Sequence, residues 1–175
     1  MIDVNNDLSQ KFSKGTRIIH WITALLIIIL FPLGKYMDEI PIAEKLGLIQ
    51  IHAILGTVVL LLTLFRIYLF FKAPRPADLK TGSKINDLIA VWNHNALYLF
   101  LLGASISGII TLLIGGYRGA IVNNDPTLVK PHSEIFSLEG HEIFVLLIVL
   151  FFVLHVLGVI KHYILTKENT LKRIF

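Results

Sequence analysis

The chain has 175 residues, 55% of them apolar, with a net charge of +4 and a mean hydropathy of +0.73. A soluble domain of this length cannot hide so much apolar surface, so residues 1–175 read as one integral membrane domain, with no nucleic-acid partner expected. With no cysteine, disulfides, thiolate metal sites, iron–sulfur clusters and covalently attached haem are excluded, and seven histidines are left as the main ligands for a transition metal.

Residues 1–17 are polar and close on Lys11, Lys14 and Arg17. The first apolar run, residues 18–36, is long enough to span and has no small-residue cleavage site after it, so it is not expected to be a cleavable signal peptide. Pro32 and Gly34 predict a kink or frayed exit, which membrane helices tolerate. A polar link over 38–47, with Pro41, leads to a second span over 48–71 that carries His52 near its start and Arg66 near its end. After the basic loop KAPRPADLKTGSK, a third span over 88–114 is entered through Trp92, Asn93, His94 and Asn95 and contains Gly103 and Gly108. The link over 115–139 is rich in turn signals. The fourth span, 140–163, holds His141, His155 and His162, and a basic tail follows.

Orientation follows from the flanking cations. The N-terminal segment, the 72–84 loop, the C-terminal end and Arg66 hold twelve of the sixteen Lys and Arg residues. By the positive-inside rule both termini are cytoplasmic. The expected fold is an all-α four-helix membrane bundle, N-in and C-in.

Orientation sets the depth of each histidine. His20, in the first turn of span one, and His155, in the inner half of span four, fall near the inner face; His52 and His141 fall near the outer face. His141 and His155 are fourteen residues apart, which is about 21 Å of helix rise and a rotation mismatch of about 40°. The four residues thus sort into two depth-matched pairs, each joining two helices. The spans hold no Asp or Glu over 18–36, 48–71, 88–114 or 143–163, so carboxylate-bridged iron and carboxylate proton relays have no interior ligands. A bare zinc site wants three or four ligands at one depth. Haem b needs two axial histidines per iron and an apolar lining, and Gly56, Gly103 and Gly108 leave room for a flat macrocycle.

A lone interfacial histidine is more often a simple polar residue than a ligand. His155 resists that reading because Phe151, Phe152, Val153 and Leu154 precede it. His94 has no depth-matched partner and reads as structural, His132 lies in a loop with no role assigned, and the glycines of span three serve helix packing equally well. Arg66 and Lys161 are candidates for pairing with haem propionates, although the positive-inside bias alone would put cations there.

The segments RIIHW (17–21), IHAILG (51–56), GHE (140–142) and LHVLGVIKHYILTKENTLKRIF (154–175) resemble the bacterial cytochrome b561 family, itself similar to the b-type cytochrome subunits of nickel–iron hydrogenases. The resemblance covers essentially the whole chain. It implies a di-haem b cytochrome of the bacterial inner membrane, with His20 and His155 as metal ligands of one haem and His52 and His141 of the other. It also implies a quinone partner near the cytoplasmic haem, where His162 and Lys14 are the nearest candidates. One branch of the family resembles a superoxide oxidase, passing electrons from periplasmic superoxide to the quinone pool. Here the outer loops run against that branch: Lys35 and Lys45 face Asp38, Glu39 and Glu44, and Arg118 and Lys130 face Asp125, Glu134 and Glu139, whereas a positive surface gathers an anion. The chain is therefore expected to be a transmembrane electron conduit. It works either as a superoxide:quinone oxidoreductase or as the membrane anchor relaying electrons for a dehydrogenase, hydrogenase or reductase complex with a periplasmic redox partner.

Overall fold

A computed structural model describes residues 6–175. They form four long helices: α1 (Lys14–Glu39), α2 (Ile42–Lys72), α3 (Lys84–Ile114) and α5 (Phe136–Thr166), with a short α4 (Tyr117–Asn123) between the last two. The all-α bundle expected from the sequence is present, and the long helices are apolar enough to cross a membrane.

Every long helix overruns the apolar run that announced it. α1 starts at a serine cap, where the Ser13 hydroxyl accepts from the Thr16 N–H at 3.2 Å, and Ser83 caps α3 in the same way. Both caps lie in polar sequence, so helix and hydrocarbon boundaries differ. Thirty-one residues of helix rise about 46 Å, against a hydrocarbon core of about 30 Å. The link expected over 38–47 shrinks to Ile40 and Pro41, because the proline holds Ile40 extended and the next helix starts at once. Pro32 does not end α1. The 115–139 link is also partly helical. It enters α4 through Gly116, whose φ of +83° and close approach to the Leu128 carbonyl admit no side chain, and leaves through left-handed Asn124.

Packing runs in chain order: α1 against α2, α2 against α3, α3 against α5. α5 is not closely packed against α1 or α2, and this open seam is where the histidines face one another. α4 closes one end of the bundle against α2 and α3. At the other end, hereafter the tail end, three separate segments are knotted together. Arg173, only 4% exposed, donates from Nη2 to the Ala77 carbonyl (2.6 Å) and from Nε to that of Gln10 (3.3 Å). The Phe12 N–H donates to the Arg173 carbonyl and Trp21 Nε1–H to that of Ile174. Asn6 Nδ2 donates both to the Lys80 carbonyl and to Glu168.

The interior is stacked in three layers. On a helix, residues seven apart return within about 20° of the same face. The heptad stripes that meet inside the bundle are His20–Ile27–Gly34 on α1, His52–Val59–Arg66 on α2, His94–Leu101–Gly108 on α3, with His94 itself still exposed, and His141–Ile148–His155–His162 on α5. Val59, Leu101, Ala104 and Ile148 form the buried mid-depth core, with Ile27, Phe100 and Phe144 against it. Outward faces carry Leu25, Leu61, Leu99 and Leu146, all well exposed, as lipid-facing positions should be.

Candidate functional site

Above and below the apolar layer the stripes bring histidines together. At the α4 end, the rings of His52 and His141 lie 6.1 Å apart, centroid to centroid. At the tail end, those of His20 and His155 lie 6.4 Å apart. Each pair joins α5 to a helix it does not closely pack.

The surroundings of the pairs differ. His141 Nδ1–H donates to the Ala104 carbonyl at 2.8 Å. A carbonyl can only accept, so the proton sits on Nδ1 and the lone pair is left on Nε2. This bond depends on Gly108, where a Cβ would stand 3.1 Å from His141 Nδ1. Gly34 similarly faces His52, with room for a methyl at 3.6 Å. Two glycines and two histidines therefore make up the α4-end layer. In the tail-end layer the equivalent places hold Arg66 and His94. The Arg66 guanidinium lies 5.2 Å from the centre of the Tyr98 ring.

The His94 ring stands edge-on to His155 at 4.9 Å, its Nδ1–H donating to the Ala90 carbonyl at 2.7 Å. The expectation that His94 has no depth-matched partner therefore needs correcting, since it stands beside His155; its bond to Ala90 and its packing on that ring agree with a structural role. The signal was available, since His94, Leu101 and Gly108 repeat every seven residues.

The other named residues are placed as follows. His162 is buried on the α5 stripe one heptad past His155, with Nε2 at 2.9 Å from the Glu168 carboxylate. Lys14 is exposed in the first turn of α1. Lys161 Nζ donates to Asn86 Oδ1. His132 sits beside Glu142 at 3.2 Å, on the α4 side.

The residues fit b-type haem. Two imidazole rings bracketing one metal at bonds of about 2 Å have centroids about 6 Å apart, as both pairs do. Nδ1 of His20 and of His52 is buried with no hydrogen-bond partner, and neither ring is committed to a protein contact through Nε2. At 4.9 Å, His94 and His155 are too close to bracket a metal together. Among the described residues no cluster of three or more His, Cys, Asp or Glu side chains is arranged to hold a bare metal ion.

A family model described as prokaryotic cytochrome b561 matches residues 11–175. Among curated proteins, the chain is 26% identical over 173 residues to a "Probable superoxide oxidase CybB" of Yersinia pestis, covering 95% of this chain and 96% of that one. It is 25% identical over 170 residues to "Cytochrome b561 homolog 2" of Escherichia coli (strain K12), covering 94% and 90%. No solved structure matches.

Proposed function

As this chain belongs to the prokaryotic cytochrome b561 family, a family of membrane electron-transfer proteins, we propose that it carries two haem b groups, one at each end of the bundle, and moves electrons across the bacterial inner membrane to the quinone pool. His52 and His141 would hold one, His20 and His155 the other. The observation that carries this is the pair of facing imidazoles at each end, at nearly equal spacing, where α5 stands apart from α1 and α2. When bound, haem supplies a reversible one-electron iron centre. The chain's own part is to fix ring orientation, exclude water and separate the two sites by the Val59–Leu101–Ile148 layer.

Both termini are assigned to the cytoplasm because the tail end gathers most of the Lys and Arg. The tail end is then the quinone side. A cavity of about 290 Å³ between α5 and the tail, lined by Val159, Ile160, Tyr163, Asn169, Thr170 and Leu171, supports this. It starts one turn past His155 and is apolar with a few polar groups, as a quinone headgroup needs. His162 lines none of it, but its bond to Glu168 joins a buried imidazole to a carboxylate on the proton-accessible side. Lys14, exposed in the first turn of α1, lines none of the cavity either; the ammonium beside a lining residue is that of Lys167, 6.0 Å from the Tyr163 ring centre. In the superoxide reading, two superoxide anions each lose one electron at the α4 end and leave as dioxygen. One quinone takes the two electrons and two cytoplasmic protons to become a quinol. The name of the Yersinia relative favours this reading.

A second reading, the membrane anchor of a redox complex, is favoured by the α4 side itself. Its loops are net acidic, and Val122 and Phe136 are 75% and 83% exposed there, a surface suited to a protein partner. The deciding experiment is a reduced-minus-oxidised spectrum of purified protein with haem counted per chain, followed by stopped-flow mixing with superoxide and a soluble quinone. Two haems and quinone-dependent superoxide consumption are expected. Two haems without turnover would assign the anchor role, and no haem after ample supply would overturn the haem reading.

A further inference from the structure

Arg66 lies on the interior stripe of α2, six residues from the helix end, or about 9 Å of rise. A guanidinium does not shed its proton, so burying one calls for an anion or for acceptors. None of the ion pairs among the described residues involves Arg66, and its Nε is buried without a partner. Tyr98 is its neighbour, offering a ring centred 5.2 Å from the guanidinium and a neutral hydroxyl as acceptor, but no negative charge. Arg66 stands two heptads from His52 on α2, which puts it at the tail-end level of that stripe. On α3, Asn93 is 8% exposed and both polar atoms of its amide are buried with no hydrogen-bond partner. Asn93 and Ala104 are eleven residues apart, within about 20° on the helix, so the amide belongs to the interior face.

A fixed cation and an unpaired amide, in spans that hold no carboxylate, ask for an oxyanion from outside the chain. We propose that Arg66 and Asn93 seat the propionate carboxylates of the haem held by His20 and His155. The proposal rests on the haem reading of that layer. A lipid phosphate has the same oxyanion chemistry, but Arg66 faces the bundle axis, on the stripe of His52 and Val59, rather than the lipid. Arginine presents a fork of donors matched to a carboxylate, and the Asn93 NH₂ adds another. In the α4-end layer the equivalent places are Gly34 and Gly108, which offer no such partner. The seat therefore gives the tail-end haem a compensating positive charge that the other lacks. Reduction adds negative charge, so that cation raises the tail-end potential.

The test uses full-length protein in detergent, loaded with haem carrying ¹³C at the propionate carboxylates, and combines redox-difference infrared spectra with potentiometry. Arg66→Leu should shift the labelled carboxylate bands of one haem towards those of solvated carboxylate and lower that haem's midpoint, leaving the other unchanged. Arg66→Lys should keep most of the midpoint, and Asn93→Leu should shift the bands less, in the same direction. If Arg66→Leu does not accumulate, these two milder variants carry the comparison. Identical labelled bands in wild type and variants, with both haems still bound, would overturn the proposal whether or not a midpoint moves. An Arg66-dependent ³¹P signal from bound lipid with unchanged haem bands would also overturn it and assign the seat to a headgroup. A wild-type protein without haem would instead refute the haem reading beneath it.

Discussion

At the α4 end, His52 and His141 are flanked by Gly34 and Gly108; at the tail end, His20 and His155 are flanked by Arg66 and His94. The spacing within the pairs is nearly the same. What differs is how each layer treats charge and space. The glycine layer uses backbone, with His141 oriented by a carbonyl that can be reached because Gly108 has no side chain. The tail-end layer uses side chains with donors and a fixed positive charge. On the proposed reading, the two haems would sit in unlike charge environments, the tail-end one beside a fixed cation.

Removing a ligand should have the largest effect. His155→Ala should lose the tail-end haem and keep the other, and His52→Ala should do the reverse, as read by haem per chain and the surviving midpoint. Loss of both haems from either variant would show that the layers are not independent. Next in size, Gly108→Ala places a methyl 3.1 Å from His141 Nδ1 and should break its bond to Ala104. That bond contributes about 1 kcal/mol. Weaker haem retention and a moved midpoint are expected at the α4 end alone, and Gly34→Ala, with 3.6 Å available, should be milder.

The smallest effect concerns pH at the tail. Burial opposes the charge on Glu168, but hydrogen bonds from Asn6 and His162 outweigh it and hold its pKa below 4.5. The stability it contributes is complete above pH 4.5 and is lost as pH falls through the lowered native value. Proteolysis of the 167–175 segment should accelerate there, and Glu168→Gln should flatten that dependence without changing haem content.

Much of this contrast was legible in the sequence because membrane spans announce themselves and heptad spacing is simple arithmetic. Two imidazole pairs follow from the residue numbers once the helices alternate in direction. The helix overruns were not legible, since Ser13 and Ser83 act through cap geometry in polar sequence that hydropathy averages away. The neighbour of His94 was missed because its register with Leu101 and Gly108, which brings it to the level of His155, is not visible from the interfacial Trp92 beside it. The tail knot was hidden for another reason. Arg173 looks like one more cation of a basic tail, and its burial depends on carbonyls of Gln10 and Ala77, far away in the chain.

Each imidazole pair takes one member from α5, the last of the long helices to leave the ribosome. Before its synthesis, a nascent chain can offer His20 and His52 but no opposing ring, and the tail knot lacks Arg173 to close it. On the proposed reading, haem capture by two ligands therefore waits for α5, the α4-end pair being completed by His141 before the tail-end pair by His155. A cell short of haem should then accumulate full-length, inserted protein whose α5 seam stays open.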